Sequence, residues 1–320
     1  MRKFITKIAL FLMPFFILTY PLDYIISYYL KQTKKAPGEF EVWNDIYNSN
    51  VNCDIAIYGS SRAWVHIDPK ILSHILQLNV YNFGIDGHNF WLQYLRHIEF
   101  LKYNPKPKTI ILSVDVFSLQ KRSDLYQQEQ FLPYMLWNTD IQQYTSSYIG
   151  YKKIDYYMPL IRYAGKSSSL KDAFSNFVNN GPAKQYRYRG YKGMEKEWTN
   201  DLENAKSQKP NYEVQLNNES IKLFHEFVLK CIAQNIELIL VYTPEHIDGQ
   251  KYVSNRKKII SIYKQISKEN KLLFLDFSGD EICYKKEFFY NSMHLNKKGA
   301  EIFSKKLAEQ VKKFRTEDGN

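Results

Sequence analysis

Two short segments, far apart in the chain, carry residue types that together make a nucleophile and its base. One reads Gly59-Ser60-Ser61-Arg62; the other runs from Asn291 through His294 and Asn296 to Gly299. A serine hydroxyl attacks a carbonyl once a histidine takes its proton, and the histidine then returns that proton to the leaving group. The chemistry this pair suggests is acyl transfer through an acyl-serine. The residue three before the histidine, where an orienting carboxylate would stand, is Asn291.

Such side chains need a scaffold, and the pattern around them supplies one. Short apolar runs end in polar or turn residues at Asp54 to Tyr58, Val80 to Phe83, Thr109 to Val114, Glu237 to Tyr242 and Leu272 to Leu275. Helical periodicity separates them at Pro69 to Leu78, Asn89 to Lys102, Glu219 to Gln234, Arg256 to Glu269 and Lys297 to Phe314. Continuous apolar strands alternating with helices predict a parallel sheet covered on both faces. The expected fold is α/β, a flavodoxin-like three-layer arrangement with five parallel strands. Ligands in such sheets bind beyond the carboxyl ends of the strands. Those ends carry Gly59-Ser60-Ser61, Gly84-Ile85-Asp86-Gly87, Asp115, Thr243-Pro244-Glu245-His246 and Asp276.

Each segment also has a plain structural reading. Gly-Ser-Ser describes an ordinary turn, a glycine after a strand ends it, and a lone loop histidine is commonly a solvated polar group. Position at the last strand–helix junction favours the functional reading of His294. A glycine near residue 87 lets the backbone approach a substrate and aim an N–H at an oxyanion.

Hydrophobic residues make up 44% of the 320 and charged residues 24%, the balance of a folded chain with a full core. The formal net charge of +11 admits nucleic acid, anionic lipid or acidic glycan as partners. No zinc-finger spacing or RNA-binding strand motif is present, so nucleic acid is not expected. Lysines spread over solvated helix faces account for the charge equally well. Cys53, Cys231 and Cys283 are spaced for neither a metal site nor a disulfide framework and read as buried thiols. No cofactor or metal is expected.

The N-terminus is apolar from Ile8 to Leu22 and again from Tyr24 to Leu30, with Asp23 between. The whole stretch is long enough to cross a membrane. No small-residue cleavage pattern follows, so residues 1–35 are read as an uncleaved single-pass anchor and flank. The main domain, 36–320, is expected on the extracytoplasmic side of the cytoplasmic membrane. A buried apolar helix is the alternative. Between about 120 and 216 the strand–helix alternation stops, and a helical cap inserted into the domain is expected there. Its segment Gln185 to Lys192 interleaves basic residues with tyrosines, which suits either sugar or anionic polymer, or simple packing on the core.

Taken together, the segments resemble the SGNH (GDSL-like) hydrolase superfamily. Gly59-Ser60-Ser61 is similar to its first block, which makes Ser61 the nucleophile and puts Ser60 where the family has aspartate. Asn82 to Gly87 is similar to the second, with Gly87 as an oxyanion donor beside the Ser61 N–H. Ser113-Val114-Asp115 is similar to the third, with Asp115 where the family's oxyanion asparagine stands. Asn291 to His294 is similar to the closing Asp-x-x-His block. The inserted region lies outside the resemblance.

Two departures bear on activity. An ionised Asp115 would repel an oxyanion unless it were protonated or paired with a cation such as Arg62. Asn291 accepts a hydrogen bond but adds no charge; in a serine protease triad the Asp-to-Asn change removes about 10⁴ in kcat. The resemblance with a membrane anchor is closest to proteins that accompany cell-surface polysaccharide O-acetylation. It implies an esterase or O-acetyltransferase acting on an envelope polysaccharide or acyl-sugar, alone or with a membrane acyl-transfer partner. Arg62 and His246 are candidate substrate-binding residues. The alternatives are an inactive glycan-binding accessory protein and a lipase with the cap as its lid.

Overall fold

A computed structural model of the protein describes residues 2–179 and 185–317. The chain folds into two compact units, one of residues 1–44 with 123–186, the other of 45–122 with 187–320.

The larger unit holds the sheet. Strands β1 (Ile55–Gly59), β2 (Val80–Asn82), β3 (Thr109–Val114), β4 (Glu237–Tyr242) and β5 (Leu273–Asp276) lie in the order β2-β1-β3-β4-β5. Every pairing is parallel. This is the flavodoxin-like order, as the alternation predicts. β1, β2 and β3 are buried along their whole length, which is why they read as unbroken apolar runs. The edge strand β5 is half-buried.

In chain order the helices are α1 (Arg2–Lys31), α2 (Glu39–Tyr47), α3 (Ser61–His66), α4 (Pro69–Leu76), α5 (Phe90–Tyr103) and α6 (Thr139–Thr145). They continue with α7 (Ser167–Val178), α8 (Asp201–Gln208), α9 (Asn218–Ala233), α10 (Ile247–Tyr252), α11 (Arg256–Glu269) and α12 (Lys297–Glu317). α3, α4 and α12 cover one face of the sheet, where Phe303, Leu307 and Val311 pack on Ile57, Ile111 and Ile239. The other face carries α5, α9 and α11. There Phe90 meets Phe224 at 4.9 Å, Phe224 meets Tyr263 at 5.6 Å, and His97 meets Tyr58 at 5.3 Å between ring centroids.

Two glycines make close approaches that a side chain would block. Gly59 has φ +148°, and a Cβ there would lie 2.8 Å from the Ser113 carbonyl and from Ala63 Cβ. The bare backbone lets β1 turn at once into α3. Gly190, φ +79°, presses on the Asn82 carbonyl so closely that a Cβ would lie 1.7 Å from its oxygen.

That second contact belongs to the basic–aromatic segment. Arg187 is buried, its guanidinium 4.3 Å over the Trp64 ring and donating to the Gly84 carbonyl at 3.0 Å. Arg189 Nε donates to Val80 O at 2.8 Å, and its own carbonyl accepts from Asn82 N at 3.0 Å. Arg189 is therefore spent on the edge of β2 and Arg187 on the turn that follows it, and packing is the reading the structure supports. Residues 187–216, expected in the insertion, lie in the α/β unit.

The smaller unit joins the N-terminal helix to the insertion. Residues 8–22 of α1 are apolar and, where described, mostly exposed; the helix has a mean hydropathy of 1.7 over its most apolar window. From Asp23 onward α1 packs within its own unit. Asp23 Oδ1 pairs with Arg162 Nη2 at 2.6 Å, both buried, and Asp23 Oδ2 accepts from Leu160 N at 2.7 Å. Ser27 Oγ meets the Tyr163 hydroxyl at 2.7 Å, and Asn176 Nδ2 donates to Tyr29 O at 2.9 Å. The segment after residue 31 contains α2. Trp43 of α2 donates to Gln130 Oε1 at 3.0 Å and packs on Phe131.

Candidate active site

The chain leaves β1 through Gly59, and Ser60 caps α3, its hydroxyl accepting from Arg62 N at 3.4 Å. Ser61 is the first helical residue, so its N–H is one of those a helix start leaves without an internal partner. Its hydroxyl lies at the carboxyl edge of the sheet.

His294 arrives on an element too short to read from sequence, an antiparallel hairpin of β6 (Phe289–Asn291) and β7 (His294–Leu295) that pairs Asn291 with His294. Asn291 Oδ1 accepts from Met293 N at 3.1 Å and from His294 N at 2.9 Å. This is an Asx-turn, and it explains the spacing of three: the side chain that closes the turn lies beside the histidine ring. His294 Nδ1 faces the same Oδ1 at 3.0 Å. Two backbone N–H groups require an acceptor there, so the oxygen of the amide faces the ring. Nδ1 must then carry the proton, which leaves Nε2 as an acceptor. Ser61 Oγ stands 2.8 Å from that Nε2. The serine and histidine are in contact in the tautomer a general base needs.

The hairpin is held from behind. Leu295 N donates to His66 Nε2 at 3.0 Å, and His66 Nδ1 meets Thr243 Oγ1 at 3.1 Å. Gly299 lies against Phe288 O, where a Cβ would come within 2.2 Å. The glycine that follows the histidine in sequence is thus a packing requirement of α12.

Charge around the pair is mostly positive. Burial, then the Arg62 and Lys196 charges, push the His294 pKa down to about 3. Arg62 is itself buried and pairs with Glu245 at 2.5 Å, not with Asp115. Burial opposes its charge, but Glu245, Asp115 and Tyr242 hold it protonated. Glu245 also accepts from the Tyr242 hydroxyl at 2.5 Å and faces Arg256 Nε at 3.5 Å. Asp115 accepts from Ser60 Oγ at 2.6 Å and from Phe117 N at 2.7 Å. Its carboxylate faces the serine turn and does not reach His294 Nδ1.

A cavity of about 340 Å³ opens over the pair, lined by Ser61, Arg62, Gly87, Asp115 and His294. Of the candidate residues, these five share it. Gly87 adopts φ +69°, where glycine is unstrained. Asn291 stands behind the histidine, and its Nδ2 donates to Asp201 Oδ2 at 3.4 Å. His246 is absent from the cavity lining. It caps α10, accepting from Asp248 N at 3.3 Å, with its ring against Trp198 and Phe289.

Sequence reasoning passed over Asn89. It lines the same cavity, is buried, and its Nδ2 has no hydrogen-bond partner among the described residues. It precedes α5 at the N-cap position yet makes no capping bond. An unpaired amide in a polar cavity is costly unless something arrives to accept from it. The three thiols offer no rival nucleophile: burial raises each to about 12.

No protein-family model and no curated protein matches the chain. Solved structures resemble it in fold. An acetyl xylan esterase is 13% identical, with a TM-score of 0.41 over 80% of this chain and 99% of its own. A psychrotrophic esterase from Pseudoalteromonas, solved with monoethylphosphonate, is 12% identical, with a TM-score of 0.42 over 82% and 99%. A GDSL-like lipase from Bacteroides thetaiotaomicron is 11% identical, with a TM-score of 0.36 over 80% and 88%. These are distant likenesses and assign neither activity nor substrate.

Proposed function

We propose that the protein is a membrane-anchored serine esterase or O-acyltransferase that moves a short acyl group, acetyl in the simplest case, on a cell-envelope polysaccharide. The 2.8 Å contact between Ser61 Oγ and an unprotonated His294 Nε2 carries the reading. Ser61 Oγ attacks the ester carbonyl as Nε2 takes its proton. The tetrahedral oxyanion accepts from the N–H groups of Ser61 and Gly87 and from Asn89 Nδ2. We assign the side-chain donor to Asn89 because an ionised Asp115 has no proton to give. Collapse breaks the bond to the alcohol, which leaves with the proton from His294. Water or a sugar hydroxyl then attacks the acyl-serine with His294 again as base.

The substrate class rests on the lining. Asn89, Gln120 and Arg122 offer polar groups suited to a hydroxylated sugar, while Phe117, Tyr212 and Met293 give an apolar wall for the sugar's ring face and a short acyl group. A membrane acyl-transfer protein is the natural donor for the transferase form. Anchoring is supported by the Asp23–Arg162 pair: removing α1 as a signal would strand a buried guanidinium. The globular part then stands outside the cytoplasmic membrane.

A specific observation favours a second reading, a non-catalytic glycan-binding protein. Among the described residues no carboxylate contacts His294 Nδ1, and Arg62 lies close enough to disfavour its protonated form. A fluorophosphonate probe separates the two. Labelling of the wild type that disappears in Ser61→Ala supports the esterase; a folded wild type that never labels sinks it.

A further inference from the structure

The unit built from the N-terminal helix and residues 123–186 carries a run of exposed apolar side chains that its own core does not use. On α7, Phe174, Phe177 and Val178 are 68%, 55% and 60% exposed, and Leu170 adds a fourth at helical spacing. These are large residues on a short amphipathic helix whose opposite face is already packed. The run is continuous with α1. Tyr28 meets Tyr29 at 5.2 Å, Tyr29 meets Phe177 at 5.1 Å, and Phe177 meets Phe174 at 6.5 Å between ring centroids.

A second contact marks where α1 changes character. Trp137, 57% exposed, stacks on Tyr20 at 5.5 Å, and its indole nitrogen donates to Tyr157 O at 2.9 Å. One turn further along, Asp23 and Arg162 pair. From Ile8 to this level α1 is apolar all round; after it, one side packs on the insertion and the other presents Tyr24, Ile25 and Tyr28. Tryptophan and tyrosine concentrate at the boundary between hydrocarbon and water because their rings are apolar with one polar atom. From Leu22 to Tyr29 is seven residues, roughly 10 Å of helix. One headgroup layer is about 5–8 Å deep, half the difference between a ~30 Å core and a ~40–45 Å bilayer, so this stretch crosses the layer and reaches just beyond it.

We propose that this surface, Trp137 with Phe174, Phe177 and Val178, rests in the interfacial layer of a lipid bilayer beside α1. The insertion is then a membrane-seated foot, and the anchor is a helix with a second, monotopic contact. The proposal rests on α1 being an anchor. The lipid surface is the occupant the geometry favours, because the exposed rings continue the exposed face of the spanning helix without a break.

The test uses the full chain in nanodiscs of phosphatidylcholine and phosphatidylglycerol. A nitroxide is placed at Phe11→Cys in the span, at Phe174→Cys and Phe177→Cys on the foot, and at exposed Lys312→Cys as a water reference. The native cysteines are buried and do not compete. Collision with oxygen and with a water-soluble nickel chelate is measured at each. The proposal expects 174 and 177 to show strong oxygen collision and nickel collision several-fold below that at 312. Nickel collision equal to that at 312, with 11 in lipid, overturns the foot and leaves the anchor standing. Low collision with both relaxers at 174 and 177 places protein there and also overturns it. Nickel collision at 11 matching 312 removes the anchor reading and the foot with it.

Discussion

Asn291 Oδ1 accepts three N–H groups at once, from Met293, His294 and the His294 ring, and thereby fixes both the hairpin and the tautomer. In a protease triad an asparagine in this place can present the wrong atom to the histidine. Here two backbone donors hold the amide oxygen toward the ring. What the site lacks is only the negative charge that would stabilise the imidazolium.

Supplying that charge should help. Asn291→Asp keeps the Asx-turn and is expected to raise kcat on a chromogenic acetyl ester by about 10-fold or more, since charged partners strengthen such contacts. Asn291→Ala loses turn and tautomer together and should lower kcat by about 10²–10³. Steady-state kinetics check both; an Asn291→Asp variant slower than wild type would mean that Asp201, facing the same side chain, opposes the added charge.

Asn89→Ala removes the unpaired amide. A donor that acts on the oxyanion is worth about 10²–10³ in kcat, with KM nearly unchanged. Because Asn89 Nδ2 has no partner among the described residues, thermal stability should not fall below the wild-type value. A variant with unchanged kcat removes Asn89 from the reaction.

The fold is legible in the sequence where strands are buried on both faces, since those must be apolar throughout. The site is legible in part. Ser61 and His294 sit at strand ends, where position alone signals function. Asn89 does not stand out, because an asparagine before a helix reads as a cap; its signal is the capping bond it fails to make. At the end of β4 the sequence points to His246 where the structure turns Glu245 to Arg62, because side-chain direction at a strand end depends on a local turn that composition does not encode. The bond between Asp23 and Arg162 joins residues 139 positions apart, and no periodicity reports it.

The pH dependence follows from the direction of the histidine shifts. A base works when unprotonated, and burial with nearby positive charge lowers His294 to about 3. The acid limb of kcat/KM should therefore be missing near 6.5, with activity flat from about pH 8 to 5. Asn291→Asp should bring a limb back toward neutral pH. A wild-type profile falling with a midpoint near 6.5 would contradict the shift.

Stability should respond in the same range. Burial keeps His66 well below its ordinary value and holds His97 at about 3, as for His294. Below about pH 6.5 the unfolded chain binds protons that the native state refuses. Stability is therefore full above that pH and is lost as the pH falls toward 3. Urea midpoints measured from pH 8 to 4 should decline steadily below 6.5.

Glu245→Gln tests the ion network. It leaves the Arg62 guanidinium buried without its partner, a change that costs about 3–5 kcal/mol in comparable sites. The uncompensated charge also bears harder on a protonated His294, so kcat should fall along with the melting temperature. Unaltered melting would show that Arg62 finds another counter-charge.

Arg189 at the β2 edge has an effect beyond packing. In a parallel strand alternate residues turn their backbone groups outward, and on β2 these are Val80 and Asn82. Val80 N donates to Ser73 Oγ, Val80 O accepts from Arg189, and Asn82 N donates to the Arg189 carbonyl. An incoming strand from another molecule would find these positions taken. A sheet edge is a template for fibril growth when left bare, and here Arg189 and Gly190 act as a stopper on the folded molecule.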